Sequence, residues 1–299
     1  MTKKPTVSLV LGAGGARGLT HIGVINWLEE RGFEIKTISG SSIGALIGGV
    51  YAAGKLDIYT HWVKALQKKD VRGLMDFAYS RSGLFKGDRI MGTLKNLLGD
   101  VCIEELDIKF TAVASDLDAD KEVWFTKGSL FEAIRASISI PTIFTPVRYH
   151  GHLLVDGAMM NPIPVAPTLT DMTDITIAIN LSGKKKELPP SLSQIIKPDK
   201  VENKYFAGIA KFISTYYQLP ADPNPEELHV FEVVLKTYES MSNTITRYKI
   251  AGYNLDYLIN VPNNVCKILE FHKATALIDY GYQLAEENLS GLTQQKKQP

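Results

Sequence analysis

The chain has 299 residues, 45% hydrophobic and 22% charged, the balance of a soluble globular protein with room for one large or two small domains. Lysine and arginine number 33 against 32 aspartates and glutamates, so the formal net charge of +1 excludes an overall field that would recruit nucleic acid or an anionic membrane. No segment is long enough to span a bilayer.

The apolar run Val7–Leu11 behind a basic start resembles a signal peptide, but it breaks at Gly12 and Arg17 follows. Cytoplasmic residence is therefore expected, with export by a specialised secretion system left open. Thr6–Leu11 reads instead as a buried strand, short, branched and ended by glycine. Gly12–Gly18 is a glycine-rich turn. Leu19–Arg31 is helical, with Ile22, Ile25 and Leu28 at steps of three, and Gly32 stops it. Phe33–Ile38 is a second strand. Ser42–Ala53 is a helix apolar almost all round, hence buried, and it ends at Gly54. Strand–helix–strand–helix with short loops predicts a parallel sheet faced by helices.

Residues 55–108 read as mainly helical. Within them "YSRSGLFKGDRI" carries glycines and mixed charge, so the segment 71–100 is expected to be a mobile cover over a site. Further strands are expected at Phe110–Ser115, Val123–Phe125, Leu153–Val155 and Ile175–Ile179, with a helix at Ser129–Ile138. The polar stretch "GKKKELPPSLSQ" is a surface loop, and Val201–Gln218 an amphipathic helix. In "LPADPNPEEL", Asn224 suits a helix cap, Pro225 the first turn, and Glu226 and Glu227 the dipole. Tyr238, Met241, Ile245, Tyr248, Gly252 and Leu255 step along a long helix as a core-packing stripe. A short strand, Val265–Glu270, and a helix to about residue 288 complete the pattern, followed by a frayed tail. Cys102 and Cys266 sit in apolar contexts without metal-ligand spacing and read as reduced core thiols.

Two motifs carry chemistry. The loop "GAGGARG" lacks the third glycine of a dinucleotide fingerprint, since position 17 is Arg17, and no acid stands near the end of the second strand. A phosphate-binding G-K-S/T is also missing. Consecutive glycines at a helix start still offer free N–H groups to an anion, and in acyl transfer that anion is the oxyanion of a tetrahedral intermediate. Arg17 would brace the loop or favour negative charge nearby. Gly40, Ser42 and Gly44 form G-x-S-x-G, the turn that presents a serine nucleophile between a strand and a helix.

Such a serine needs a base. His229 and His272 satisfy the chain order of a Ser–acid–His triad, but each reads as a surface or packing histidine, and His21 as support behind the glycine loop. Asp156 ends a short strand and precedes Gly157. It fits a plain turn residue, and it equally fits a base whose pKa an apolar setting raises.

The ordered pieces "GAGGARG" with "HIGV", "SGSSIGALIGGVYAAG", "ASISIPTIFTPV" and "VDGAMMNPIPV" resemble the patatin-like phospholipase family, in its bacterial branch related to neuropathy-target-esterase catalytic domains. The resemblance spans about residues 7–165. It implies a three-layer α/β/α sandwich around a mainly parallel sheet, with C-terminal helices. It implies one catalytic domain over 1–299, a motif core at about 7–181 and a mainly helical part at about 200–289. Carried over, it makes Ser42 the nucleophile, Asp156 the base, and the amides of Gly14, Gly15 and Ala16 the oxyanion hole. Ala13 departs from the glycine common at its position. The implied substrate is a lipid or acyl ester, with no metal or cofactor and with any membrane contact peripheral.

Competing readings are an acyltransferase using the same acyl-serine, an α/β-hydrolase with His229 or His272, and a regulatory module holding a nucleotide on the glycine loop. The cluster Asp116, Asp118 and Asp120 lacks the glycine and terminal glutamate of a calcium loop and reads as a solvated turn.

Overall fold

The computed structural model describes residues 4–76, 83–189, 192 and 230–295. In chain order the strands are β1 (Thr6–Leu11), β2 (Glu34–Ser41), β3 (Gly83–Phe85), β4 (Lys109–Asp116), β5 (Lys121–Phe125), β6 (Thr142–Phe144), β7 (Val147–Tyr149), β8 (His152–Asp156), β9 (Ile175–Gly183) and β10 (Tyr257–Pro262). The α-helices are α1 (Leu19–Glu30), α2 (Ile43–Ala52), α3 (Leu56–Ala65), α4 (Lys68–Gly73), α5 (Asp88–Leu98), α6 (Leu130–Ser137), α7 (Val230–Gly252) and α8 (Ala274–Gln295).

The main sheet runs β10-β9-β1-β2-β4-β8-β7, with β5 also paired to β4. From β10 to β4 every pairing is parallel, and β5, β8 and β7 join antiparallel. Parallel strands must be covered on both faces, which explains the near-continuous burial of β1. Val7, Leu9 and Leu11 face the large core beneath α1, α2, α3, α5, α6 and α8. Val10 faces the other way, with Ala178, onto Ile163, Val165 and the end of α7. The fold is thus an α/β/α arrangement of unequal layers. The C-terminal elements β10 and α8 share the large core with β1 and α1, through Ile259, Val261, Leu277 and Leu289.

Local differences from the sequence reading have identifiable causes. β2 continues past Ile38 to Ser41, because Ser39, Gly40 and Ser41 keep their ladder with β4. Val265–Glu270 is not a strand but a run of turns, and the last strand is Tyr257–Pro262, held against β9. The long helix stops at Gly252, short of Leu255. Its expected core stripe divides: Leu255, beyond the helix, packs on the Val10 cluster and Tyr238 and Ile245 are half-buried, but Met241 is 55% and Tyr248 75% exposed, while Ser242 and Thr246 are buried. Leu235 and Ile250 meet apolar clusters at the two ends of the helix, and the inward face between them is polar where it covers the site. Cys266 is buried and Cys102 half-buried, both without a disulfide. The expected Val201–Gln218 helix, the cap at Asn224 and part of the expected cover, 77–82, lie outside the described residues.

Candidate active site

Leu11 of β1 pairs with Gly40 of β2. The glycine loop and the G-x-S-x-G turn therefore leave the carboxyl ends of two adjacent central strands. Ser42 sits between β2 and α2 at φ 56° and ψ −123°, outside the helical and sheet regions. Two contacts hold it there. Its amide donates to Ser137 Oγ at 2.9 Å, and Ser137 Oγ donates to the Val113 carbonyl at 2.6 Å. Gly44 permits the sharp turn: a Cβ there would lie 2.1 Å from the Leu11 carbonyl oxygen, and one on Gly40 would strike the Gly44 backbone at 2.4 Å.

Asp156 ends β8 and is fully buried. Ser42 Oγ donates to Asp156 Oδ2 at 2.5 Å, and the Ala158 amide donates to Oδ1 at 2.8 Å. The Asp156 amide donates to the Ser139 carbonyl at 3.0 Å, which fixes the strand end to the loop after α6. Gly157 lies so close to β4 that a Cβ would stand 2.2 Å from the Val113 carbonyl oxygen. Burial raises the Asp156 carboxyl to about 6; bonds from Ser42, Ala158 and, as the smallest of the three, the Tyr238 phenol pull the other way.

The glycine loop is fixed from below. Gly12 N–H donates to the Ile179 carbonyl at 3.0 Å and Ala13 N–H to the Pro162 carbonyl at 2.8 Å. His21 Nε2 bonds the Gly12 carbonyl at 2.9 Å, and burial lowers this imidazole to about 4. Neutral, it donates to that carbonyl. Arg17 is a brace: Nε donates to the Gly14 carbonyl at 3.0 Å, Nη1 to the Leu181 carbonyl at 3.2 Å, and Nη2 meets Glu239 of α7 at 3.3 Å. One expectation changes. Ala16 N–H donates to the Ile268 carbonyl at 2.8 Å and has no proton left for an oxyanion. Among the described residues the amides of Gly14 and Gly15 have no such acceptor, nor has that of Ile43 after the serine. Gly15 and Ser42 both border an apolar cavity walled by Leu46, Trp62, Val63, Leu94, Ile140 and Phe271 among others.

These motifs have counterparts elsewhere. The patatin-like phospholipase profile matches residues 9–169. The chain belongs to this family. An uncharacterized NTE family protein of Mycobacterium tuberculosis is 36% identical, covering 96% of this chain and 92% of its own. A lysophospholipase of Emericella nidulans is 27% identical over 98% of this chain, which corresponds to 19% of that larger protein. Among solved structures, VipD from Legionella pneumophila aligns over 95% of this chain and 67% of its own, at 16% identity and a TM-score of 0.45.

Within this patatin-like chain, three supporting residues escaped the sequence reading. Ser137 and Ser139 lie inside "ASISIPTIFTPV", whose prolines drew attention instead. Tyr238 lies on the stripe assigned to packing. No pattern of spacing marks a residue that reaches a site from a distant helix. Of the other sequence candidates, His272 is half-buried in the short helix Phe271–Lys273, while Ser42 Oγ gives its proton to Asp156, and His229 lies outside the described residues. Asp116, Asp118 and His152 bring their ligand atoms within 4.8 Å of one another. Three of the four carboxylate oxygens are already engaged: Asp116 accepts the amides of Asp118 and Ala119 and pairs with His152, and Asp118 accepts the Leu153 amide through Oδ2. Asp116 itself is buried rather than solvated, and Asp120 takes a left-handed φ of 50° in the turn beyond. Among the described residues, no helix is long and apolar enough to cross a membrane.

Proposed function

We propose that this chain is a serine lipid acyl hydrolase of the phospholipase A, lysophospholipase or carboxylesterase type, working through a Ser42–Asp156 dyad in one catalytic domain. The observation that carries the reading is the 2.5 Å bond from Ser42 Oγ to Asp156 Oδ2 beside a cavity lined by apolar side chains. An acyl chain suits such a cavity, and a nucleotide does not. The names of the relatives, a lysophospholipase and neuropathy target esterases, support the same class.

Asp156 accepts the Ser42 proton as Oγ bonds to the ester carbonyl carbon, and the displaced electron pair moves to the carbonyl oxygen. The amides of Gly14 and Gly15 donate to that oxygen, each worth roughly 3–4 kcal/mol in comparable sites. Collapse breaks the ester C–O bond, and the alcohol or lysolipid leaves with the proton from Asp156. Water then gives its proton to Asp156 and attacks the acyl-serine. The fatty acid departs and Ser42 Oγ recovers the proton. A raised carboxyl pKa makes Asp156 a stronger base than an exposed aspartate, so an imidazole is not needed.

The test is hydrolysis of p-nitrophenyl acyl esters, with fluorophosphonate labelling, by wild type, Ser42→Ala, Asp156→Asn and the His229→Ala/His272→Ala pair. The first two variants should lose at least about a thousand-fold in kcat/KM, and the histidine pair should retain activity. Activity in Asp156→Asn with loss in the histidine pair would replace the dyad by a triad. Labelling of Ser42 with acyl passed to an added alcohol instead of water would make the enzyme an acyltransferase.

A further inference from the structure

Behind the glycine loop lies a charge pair that the mechanism above does not use. Glu270 and Lys273, 3% and 8% exposed, stand between β10 and α8, and the Lys273 ammonium donates to Glu270 Oε1. The other oxygen, Oε2, accepts the Lys267 amide at 2.9 Å, and the Glu270 amide donates back to the Lys267 carbonyl at 3.2 Å. The Lys273 amide donates to the Glu270 carbonyl at 3.0 Å. One carboxylate thus closes the turn 267–270 and ties it to the residue that precedes α8. Inside this turn Ile268 meets the glycine loop twice. Its carbonyl accepts the Ala16 amide at 2.8 Å, and a Cβ on Gly15 would stand 2.6 Å from the same oxygen. Gly15 takes a left-handed φ of 58° there. The peptide that carries the Gly15 N–H begins at the Gly14 carbonyl, which Arg17 Nε holds at 3.0 Å. The next peptide, through Ala16 N–H, is held by Ile268. Gly15 is therefore gripped on both sides, by Arg17 and by the turn that Glu270 closes.

Stability alone explains such a pair poorly. Two charges taken out of water lose hydration, and apolar side chains of similar volume in their place often leave a fold as stable or more so. What the pair supplies is direction, since a carboxylate with two fixed donors holds a turn in one geometry. Donors to an oxyanion work only when aimed before the reaction, and small misplacements cost large factors in rate. We propose that Glu270 is a positioning residue: with Lys273 it fixes the turn whose Ile268 carbonyl holds the glycine loop, and so presets the Gly15 amide toward the oxyanion. The role assigned to that amide rests on the hydrolase reading above; the hold on the loop does not.

The test compares the full wild-type chain with Glu270→Leu/Lys273→Met and with Glu270→Gln/Lys273→Met, which keeps an acceptor for the Lys267 amide. Turnover of p-nitrophenyl acetate is counted per Ser42 labelled by a fluorophosphonate, so a smaller folded fraction does not register. The apolar pair should lose about ten-fold or more in kcat with KM within about two-fold. Glu270→Gln/Lys273→Met should lose less, about three-fold. Unchanged turnover per labelled serine in the apolar pair, with or without a lower urea midpoint, makes Glu270 a structural residue and overturns the proposal. If the apolar pair fails to fold, Glu270→Gln/Lys273→Met decides by the same readout. Hydrogen exchange followed by mass spectrometry should be about ten-fold faster at residues 12–18 in the apolar pair, with β2 exchanging as in the parent. Equal exchange at 12–18 overturns the proposal. If wild type neither hydrolyses esters nor labels at Ser42, the hydrolase reading fails, and faster exchange at 12–18 still upholds the grip of the pair on the loop.

Discussion

Glu239 of α7 takes hold of Arg17 of the glycine loop at 3.3 Å, and the phenol of Tyr238, one residue earlier, lowers the pKa of the Asp156 carboxyl. Two adjacent residues of one helix thus bear on both halves of the candidate machinery, the base and the glycine loop. The phenol favours the charged carboxylate, while burial favours the neutral one and sets the group at about 6. Activity should therefore rise with pH through about 6, as Asp156 loses its proton. Tyr238→Phe removes only the hydroxyl. It should move that acid limb to higher pH and lower kcat more than it raises KM. An unmoved limb would reduce Tyr238 to a packing residue.

The same burial has a cost for stability. An aspartate whose folded pKa is raised from 3.8 to about 6 contributes nothing unfavourable below pH 3.8, where both states are protonated. Between those values the unfolded chain ionises first, and folding loses up to about 3 kcal/mol, a deficit that persists at higher pH. Asp156→Asn keeps the shape without the charge. It should be catalytically dead yet about 1–3 kcal/mol more stable at pH 8, the gain shrinking as pH falls toward 4. Urea unfolding of both proteins at several pH values measures this; a constant difference across the range contradicts it.

Gly44 should tolerate no side chain. A methyl group 2.1 Å from the Leu11 carbonyl oxygen would push α2 off the sheet and disturb the turn that holds Ser42. Gly44→Ala should lose about 3 kcal/mol or more, or fail to fold, whereas Gly73→Ala at an open helical position should cost nothing. Thermal unfolding of the two variants side by side is the check.

From the described parts of the segment expected to be a cover, Val71 of α4, Met75 just after it, and Ile90 and Leu94 of α5 wall the cavity. Arg135 secures part of it, bonding the Lys86 and Thr145 carbonyls. Ile90→Trp should fill space meant for the far part of an acyl chain. Long-chain ester hydrolysis should fall about ten-fold or more while acetate hydrolysis stays within about two-fold. Equal losses on both esters would place the acyl chain elsewhere.

The first fifty residues were legible because local rules and tertiary structure agree there. Thr6–Leu11 and Ser42–Ala53 show their burial in unbroken apolar runs, and glycine marks each turn. Asp156 was ambiguous from spacing, because what separates a turn residue from a base is the serine that approaches it across 114 residues. Ala16 was misassigned for a similar reason: the carbonyl that takes its proton belongs to Ile268, in a region read as a strand. The stripe on α7 misled because apolar residues at helical spacing normally face inward. Here the stretch of the inward face over the site is polar, set against Asp156, Arg17 and Glu122.

The pairing of Leu11 with Gly40 sets a ruler inside the enzyme. The serine and the glycine amides each stand a few residues beyond paired positions on neighbouring strands, so their separation is inherited from the strand spacing of about 4.8 Å. A backbone ladder does not stretch by degrees when packing elsewhere is weakened; it holds or it comes apart. Core substitutions far from the site should consequently reduce how many molecules are active, and leave the turnover of each folded one as it was.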